Sequence, residues 1–254
     1  MESLIAGELK DFGAENVNAE NGRVLFSGDE NILARVNICS RFAERVQILV
    51  GSFEARSFEE LFQGAKALAW EEWIGSLDAF PVKGYSINST LFSTRDCQAI
   101  IKKAVVERLK SKYKIEWFEE TGPVHQIQFS IMKDKVSLLI DTSGMGLHKR
   151  GYRPLTHEAP IRETLASGML TYAKYRPYGN EALVDPFCGS GTIVIEAART
   201  ACGIAPGRDR HFAYEDLPYI GKAPYKRALE EALANEDTEP MDDCYFFGSD
   251  IDPK

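Results

Sequence analysis

The chain has 254 residues, of which 44% are hydrophobic and 27% are charged, and its formal net charge is −8. This composition is typical of a globular protein with one or two domains and excludes fibrous, collagen-like and disordered classes. The mean hydropathy is −0.26. Because no run approaches about 18 apolar residues, the sequence predicts no membrane span, and its start lacks the features of a signal peptide.

Cysteine and histidine spacing argues against disulfides and metal sites. The five cysteines are widely spaced without a C-x-x-C pair, and the four histidines lack metal-ligand spacing. These residues are Cys39, Cys97, Cys188, Cys202 and Cys244, with His125, His148, His157 and His211. We therefore expect a reduced, cytoplasmic protein without a bound metal.

The charges are unevenly distributed along this acidic chain. Residues 95–114 carry seven basic against two acidic side chains, and residues 148–153 add three basic ones. A charged run is commonly a solvated helix face, and that alternative stays open here. Two basic segments in an acidic chain nevertheless favour an anionic partner.

The first 56 residues have an α-β-β-α-β pattern. A helix ends near Gly13, Asn21-Gly22 indicates a hairpin, and Asp29 suits a helix N-cap. A β-rich run follows at 45–53. One more strand in front would complete a ferredoxin-like unit, so we expect the chain to begin one strand late.

A second α/β module follows. Ser57 and Glu60 form a capping-box pattern that predicts a helix start. The other predicted elements are a strand at 82–91, a helix at 95–111, and strands at 113–119, 125–132 and 135–141.

A third pattern begins near residue 157. Pro160 suits the first turn of a helix, and strands are predicted at 181–185 and 244–250 around a helix at 192–201. Ile161, Leu165, Gly168, Tyr172 and Tyr175 share one face of the first helix. Parallel strands are normally covered on both faces, so this pattern is the start of a doubly wound domain.

The turn between the strand at 181–185 and the next helix is the segment that points to chemistry. It reads Asp185-Pro186-Phe187-Cys188-Gly189-Ser190-Gly191-Thr192. Glycines allow close approach of backbone to a ligand, and the following helix N-terminus favours a carboxylate. Asp185, at the carboxyl end of its strand, would attract an ammonium or a sulfonium, and Asp250 would accept ribose hydroxyls. S-adenosylmethionine (SAM) carries all of these groups.

Other readings of this turn fit less well. A nicotinamide fingerprint needs G-x-G-x-x-G and an acid about 20 residues on, whereas Asp250 follows Gly191 by 59 residues. No Gly-Lys-Ser/Thr follows, which argues against a phosphate-binding P-loop. Cys188 is a candidate nucleophile, but we favour the interpretation that its side chain only packs within the turn. Glu196 is interpreted as an exposed residue that pairs with Arg199 or Thr200.

Five segments together resemble the THUMP-domain class I SAM-dependent RNA methyltransferases, which methylate guanine N2 in ribosomal RNA. They are Asp141-Thr142-Ser143-Gly144, His148–Arg153, Glu158–Ile161, Asp185–Glu196 and Ile204-Ala205-Pro206-Gly207. The resemblance implies an α/β fold with α+β N-terminal modules: a ferredoxin-like piece (1–56), a THUMP RNA-binding domain (57–154) and the start of a Rossmann-like methyltransferase domain (155–254).

The motif and the resemblance together predict two sets of contacts. Cofactor contacts are expected from Ala159, Pro160, Asp185, Phe187, Cys188, Gly189, Gly191, Asp250 and Ile251. Phosphate contacts to RNA are expected from Lys102, Lys103, Lys110, Lys112, Lys149, Arg150 and Arg153.

The resemblance also sets expectations about activity. The N/D-P-P-Y/F loop that holds the target amine in the family would follow Lys254, so no catalytic residue is expected within 1–254, and the chain alone is expected to be inactive. Ribosomal RNA is the preferred substrate, with no DNA, membrane or metal partner. The alternatives are a transfer RNA guanine-N2 methyltransferase and a non-catalytic THUMP RNA-binding protein.

Overall fold

A computed structural model of the chain describes residues 1–152, 160–176, 182–237 and 245–251. Arg153, His157, Ala159 and Cys244 lie outside these residues. The helices are α1 (Glu2–Asp11), α2 (Glu30–Cys39), α3 (Phe58–Ala67), α4 (Thr94–Tyr113), α5 (Glu163–Tyr172), α6 (Thr192–Ala201) and α7 (Ala223–Ala234). The strands are β1 (Glu15–Glu20), β2 (Arg23–Ser27), β3 (Gln47–Glu54), β4 (Val82–Ile87), β5 (Ile127–Met132), β6 (Lys135–Asp141), β7 (Leu183–Asp185) and β8 (Phe246–Gly248).

The described residues form two compact units. The first unit draws on 1–46, 145–211 and 223–254, and the second on 47–144 and 212–222. The mixed α/β class agrees with the prediction. Each unit combines stretches that are distant in the sequence.

Local signals in the N-terminal part of the first unit are confirmed. β1 and β2 pair antiparallel around Asn21-Gly22, where Gly22 has a φ of +81°. The Asp29 carboxylate caps α2 by accepting from the backbone N–H groups of Asn31 and Ile32 at 3.0 and 2.9 Å. These features depend on residues that are close in sequence, which is why they could be predicted.

The second unit is built on a four-stranded sheet in the order β3-β6-β5-β4. The helix α3 starts with the predicted capping box, in which the Ser57 hydroxyl accepts from the Glu60 N–H. The assignment of residues 45–53 to the N-terminal module is wrong. β3 instead pairs antiparallel with β6, from Gln47 opposite Asp141 to Glu54 opposite Lys135.

The predicted strand at 113–119 is also wrong. α4 continues to Tyr113, whose hydroxyl donates to the Ile74 carbonyl at 2.5 Å, and it ends at Lys114 with a φ of +57°. Trp117 is exposed, so this stretch has no buried face that would support a strand.

A segment between α6 and α7 belongs to the second unit. Its backbone joins the sheet region where the Tyr214 N–H donates to the Thr142 carbonyl at 3.0 Å. Phe212, Tyr214 and Leu217 are buried. Residues 212–222 therefore add apolar core to the unit that contains the four-stranded sheet.

In the rest of the first unit, α6 packs against α5 and against a two-stranded parallel sheet of β7 and β8. The parallel pairing agrees with the prediction. The apolar stripe of α5 is exposed at Ile161, Leu165 and Tyr172. The buried face of this helix carries small and polar residues instead: Thr164, Ala166, Ser167 and Gly168, together with Leu170.

Candidate functional site

The turn between β7 and α6 is built around two glycines with left-handed backbones. Gly189 has a φ of +51° and Gly191 a φ of +75°, a conformation that costs a residue with a Cβ about 1–2 kcal/mol. The Gly191 N–H donates to the Cys188 carbonyl at 2.8 Å, which closes the turn just before α6. Among the described residues, no side chain caps the start of α6. The helix therefore begins with backbone donors directed at the turn.

β7 and β8 bring the two predicted acids to one edge of their sheet. The strands pair in parallel, with Asp185 opposite Gly248, so their carboxyl ends lie side by side. The Asp250 Oδ2 accepts from the Gly189 N–H at 2.8 Å, and the Asp185 Oδ1 accepts from the Phe187 N–H at 3.2 Å. Asp185, Gly189 and Asp250, which are up to 65 positions apart, thus form one site.

Backbone bonds lock the glycine turn onto the end of β8. The Cys188 N–H donates to the Ser249 carbonyl at 2.9 Å, and the Ser249 N–H donates to the Asp185 carbonyl at 3.0 Å. A Cβ at Gly248 would lie 3.1 Å from the Cys188 sulfur. The sequence interpretation missed Gly248 and Ser249. A glycine that ends a strand and precedes an acid was the available signal.

The other predicted cofactor contacts differ in exposure. Phe187 is 87% exposed and Ile251 is fully exposed beside the acids. Cys188 is half-buried and packs toward Gly248. Pro160 is exposed and precedes α5, and Ala159 lies outside the described residues.

The predicted RNA-binding lysines on α4 are mostly engaged with carboxylates. Lys102 donates to the Phe80 carbonyl at 3.0 Å and to Glu120 at 2.5 Å. Lys112 lies 3.0 Å from Glu71, and Lys110 lies 3.7 Å from Glu116. Lys103 is exposed and its ammonium is 5.7 Å from the ring centre of Phe62.

The two described basic residues near position 150 have opposite environments. Lys149 is exposed, whereas Arg150 is only 1% exposed. The Arg150 guanidinium donates to the carbonyls of Leu147 and Arg41 at 2.9 and 2.7 Å. The prediction that Arg150 contacts phosphate is therefore wrong, because its donors are directed at buried backbone acceptors. Arg153 lies outside the described residues.

A second correction concerns Glu196. The sequence predicts that this residue is exposed, but it is only 1% exposed, and its carboxylate accepts hydrogen bonds from the hydroxyls of Tyr152 and Ser167. Of its two predicted partners, Thr200 contacts only the Glu196 backbone carbonyl, at 2.7 Å.

The described residues contain no group of three or more His, Cys, Asp or Glu side chains arranged to hold a metal ion. None of the helices within 1–152, 160–176, 182–237 and 245–251 is long and apolar enough to cross a membrane.

Three family models match consecutive parts of the chain. Residues 1–47 match the RlmL ferredoxin-like domain, residues 55–141 match the THUMP domain, and residues 150–254 match the RMKL-like methyltransferase domain.

Two relatives illustrate the similarity of sequence. YpsC of Bacillus subtilis, whose name assigns it provisionally as an RNA methyltransferase, is 45% identical over 99% of this chain and 65% of its own length. The ribosomal RNA large subunit methyltransferase K/L of Psychromonas ingrahamii is 37% identical over 84% of this chain and 28% of its own length. The chain thus spans less than two thirds of these relatives.

Two solved structures share the fold, and each is matched over 99% of this chain. A protein of Listeria monocytogenes, described as a predicted N6-adenine-specific DNA methylase, has a TM-score of 0.92 and 43% identity over 65% of its length. SMU.472, provisionally described as a methyltransferase and complexed with S-adenosylhomocysteine (SAH), has a TM-score of 0.91 and 39% identity over 66% of its length. The chain therefore combines RlmL-type ferredoxin-like, THUMP and RMKL-like methyltransferase domains, which confirms its resemblance to the THUMP-domain class I methyltransferases.

Proposed function

We propose that this protein is a SAM-dependent RNA methyltransferase that modifies the exocyclic N2 amine of guanine in ribosomal RNA. The observation that carries the proposal is the convergence of Asp185, the Gly189–Gly191 turn and Asp250 at the carboxyl edge of β7 and β8. Ligands of open α/β folds bind at this edge. The complex of SMU.472 with SAH supports the choice of cofactor.

The residues at this edge fit SAM. A Cβ at Gly189 would meet no atom within 4 Å, so the backbone of the turn is open to a ligand. The start of α6 attracts a carboxylate, while the two aspartates suit an ammonium and ribose hydroxyls. Phe187 and Ile251 offer exposed apolar surface beside them. We assign the ammonium to Asp185 and the hydroxyls to Asp250, with Ala159, Pro160 and Cys188 at the border of the site.

Bound SAM would supply a methyl group on a sulfonium, which an amine can attack directly. The protein then needs to bind and orient both partners, and such positioning lowers a barrier by up to roughly 7–11 kcal/mol. No covalent nucleophile is required, which is consistent with the packed position of Cys188 against Gly248.

RNA is the substrate that the similarities favour. The THUMP match and the K/L relative support ribosomal RNA, and a cytoplasmic location follows from that choice. The name of the Listeria protein supports a second candidate, the N6 amine of adenine in DNA. Both substrates present an exocyclic amine to the same donor.

The test is to map methylated bases in cells with and without the gene. Loss of N2-methylguanine from large-subunit ribosomal RNA would support the proposal, and loss confined to transfer RNA would move the substrate to transfer RNA. Unchanged RNA together with lost N6-methyladenine in DNA would overturn it.

A further inference from the structure

The buried carboxylate of Glu196 is not used by the proposed chemistry, yet it joins three parts of the first unit. It lies on α6, five residues after Gly191, and its two oxygens accept from separate donors. The Tyr152 hydroxyl donates to Oε1 at 3.1 Å, and the Ser167 hydroxyl on α5 donates to Oε2 at 2.8 Å. The Arg150 guanidinium lies 3.6 Å from Oε2.

Arg150 extends this network to the N-terminal part of the chain. One guanidinium nitrogen donates to the Arg41 carbonyl at 2.7 Å, and another lies 3.5 Å from the Ser40 carbonyl. Arg41 in turn donates to the Ile204 carbonyl, just beyond the end of α6, at 3.0 Å. Contacts from residues 40–41 therefore reach α6 through Arg150 and Glu196 and also reach the segment that follows it.

Packing a helix through a buried charged network costs free energy of hydration. Buried charges lose hydration, and well-packed apolar residues of similar volume commonly stabilise a fold as well or better. A carboxylate with two hydroxyl donors and one guanidinium does something that a leucine cannot, because directional bonds fix the position of α6 along and around its axis. The start of that helix is the Gly189–Gly191 turn.

We propose that Glu196 is a positioning residue of the cofactor site, which holds the glycine turn in place by anchoring α6 to Ser167, Tyr152 and Arg150. Through Arg150, residues 40–41 of the N-terminal part then influence cofactor affinity. This inference rests on the proposed SAM site. The competing view is that the network stabilises the fold without affecting ligand binding.

The experiment compares variants by calorimetry with SAM and by thermal unfolding without it. Glu196→Gln keeps the volume and removes the charge, and Tyr152→Phe removes one hydrogen bond. Thr200→Ala is the matched control, because Thr200 lies one turn further along α6 and its hydroxyl donates to the Glu196 backbone carbonyl rather than to the carboxylate. We expect Kd for SAM to rise about tenfold in Glu196→Gln, the equivalent of one hydrogen bond, and less in Tyr152→Phe.

A purely structural role predicts a different pattern. Glu196→Gln and Thr200→Ala would then lower the melting temperature but leave Kd for SAM within about twofold of each other in the folded protein, which would overturn the inference. If Glu196→Gln does not fold, Tyr152→Phe against Thr200→Ala decides in the same way.

Amide NMR of glycine-labelled protein separates this inference from the proposed function. The amide signals of Gly189 and Gly191 should shift in Glu196→Gln and stay unchanged in Thr200→Ala, with no ligand present. Wild-type protein that binds no SAM would overturn the proposed cofactor site, and the glycine signals alone would then decide the role of Glu196. Unshifted signals would overturn the positioning role.

Discussion

Charged residues led us to predict binding at two places, the glycine turn after β7 and the helix α4. The partners of these charged residues differ between the two regions. In the turn, Asp250 and Asp185 meet at one sheet edge and bond the backbone of the turn itself. On α4, Lys102 and Lys112 meet carboxylates that the sequence interpretation had not paired with them. The glycine turn can be predicted from local sequence because backbone geometry defines it, whereas the availability of a surface charge depends on distant partners.

The largest effect should come from removing the acid of the turn. Asp185→Ala should weaken SAM binding by about ten- to a hundred-fold, since a charge-assisted hydrogen bond contributes roughly 1.5–3 kcal/mol. Asp11→Ala, at the exposed end of α1, is the control and should bind SAM as the wild type does. Calorimetry measures both. If the two variants bind SAM with equal affinity, Asp185 does not contact the cofactor. The comparison between the glycine turn and α4 would then fail.

The second prediction concerns the backbone strain that a side chain would introduce in the turn. Gly191→Ala should lose about 1–2 kcal/mol of unfolding free energy, because Gly191 has a φ of +75° while its Cβ would fit at 3.6 Å from Ile195. Gly7→Ala is the matched control. Gly7 lies within α1 with open space around it, so the same change should stabilise by about 0.5–1 kcal/mol. Urea unfolding that shows the same sign for both variants would contradict the assigned strain.

The sequence predicts a structural feature correctly where the residues that determine this feature are close together in the chain. Asn21-Gly22, the Asp29 cap and the Ser57 capping box all rely on partners within a few positions. The errors concern distant partners. β3 pairs with β6, more than 80 residues later, and Arg150 is buried against carbonyls more than 100 residues earlier. No periodicity or spacing within a single stretch encodes such contacts.

The ion pairs of α4 can be tested by acid. Arg108, which donates to Glu71 at 2.6 and 2.9 Å, lowers the pKa of that carboxyl from 4.5 to about 2. A carboxyl with a lowered folded-state pKa stabilises fully above its unfolded pKa, and this contribution is lost as the pH falls from 4.5 toward 2.

Wild type should therefore exceed Glu71→Gln in stability by about 1 kcal/mol at pH 7, a value reduced by partial exposure, and by less near pH 3. Glu72→Gln, at the next and exposed position, serves as the control for the loss of a surface carboxylate. Unfolding curves at the two pH values check this. A constant difference for Glu71→Gln would mean that the cations of α4 are not committed to this carboxylate.

The smallest effect separates the lysines that contact RNA from those that hold the fold. Each phosphate contact contributes about one to the slope of binding against salt concentration on a logarithmic scale. Lys103 and Lys149 are exposed, so Lys103→Ala and Lys149→Ala should each lower that slope by about one.

Lys102 is engaged with Glu120 and the Phe80 carbonyl. Lys102→Ala should leave the slope unchanged and lower the unfolding free energy instead. Filter binding to a ribosomal RNA fragment at several salt concentrations measures the slope. If Lys102→Ala lowers it as much as Lys103→Ala does, the ion pair with Glu120 opens on binding. The helix α4 would then present its charges to RNA as the sequence alone predicts.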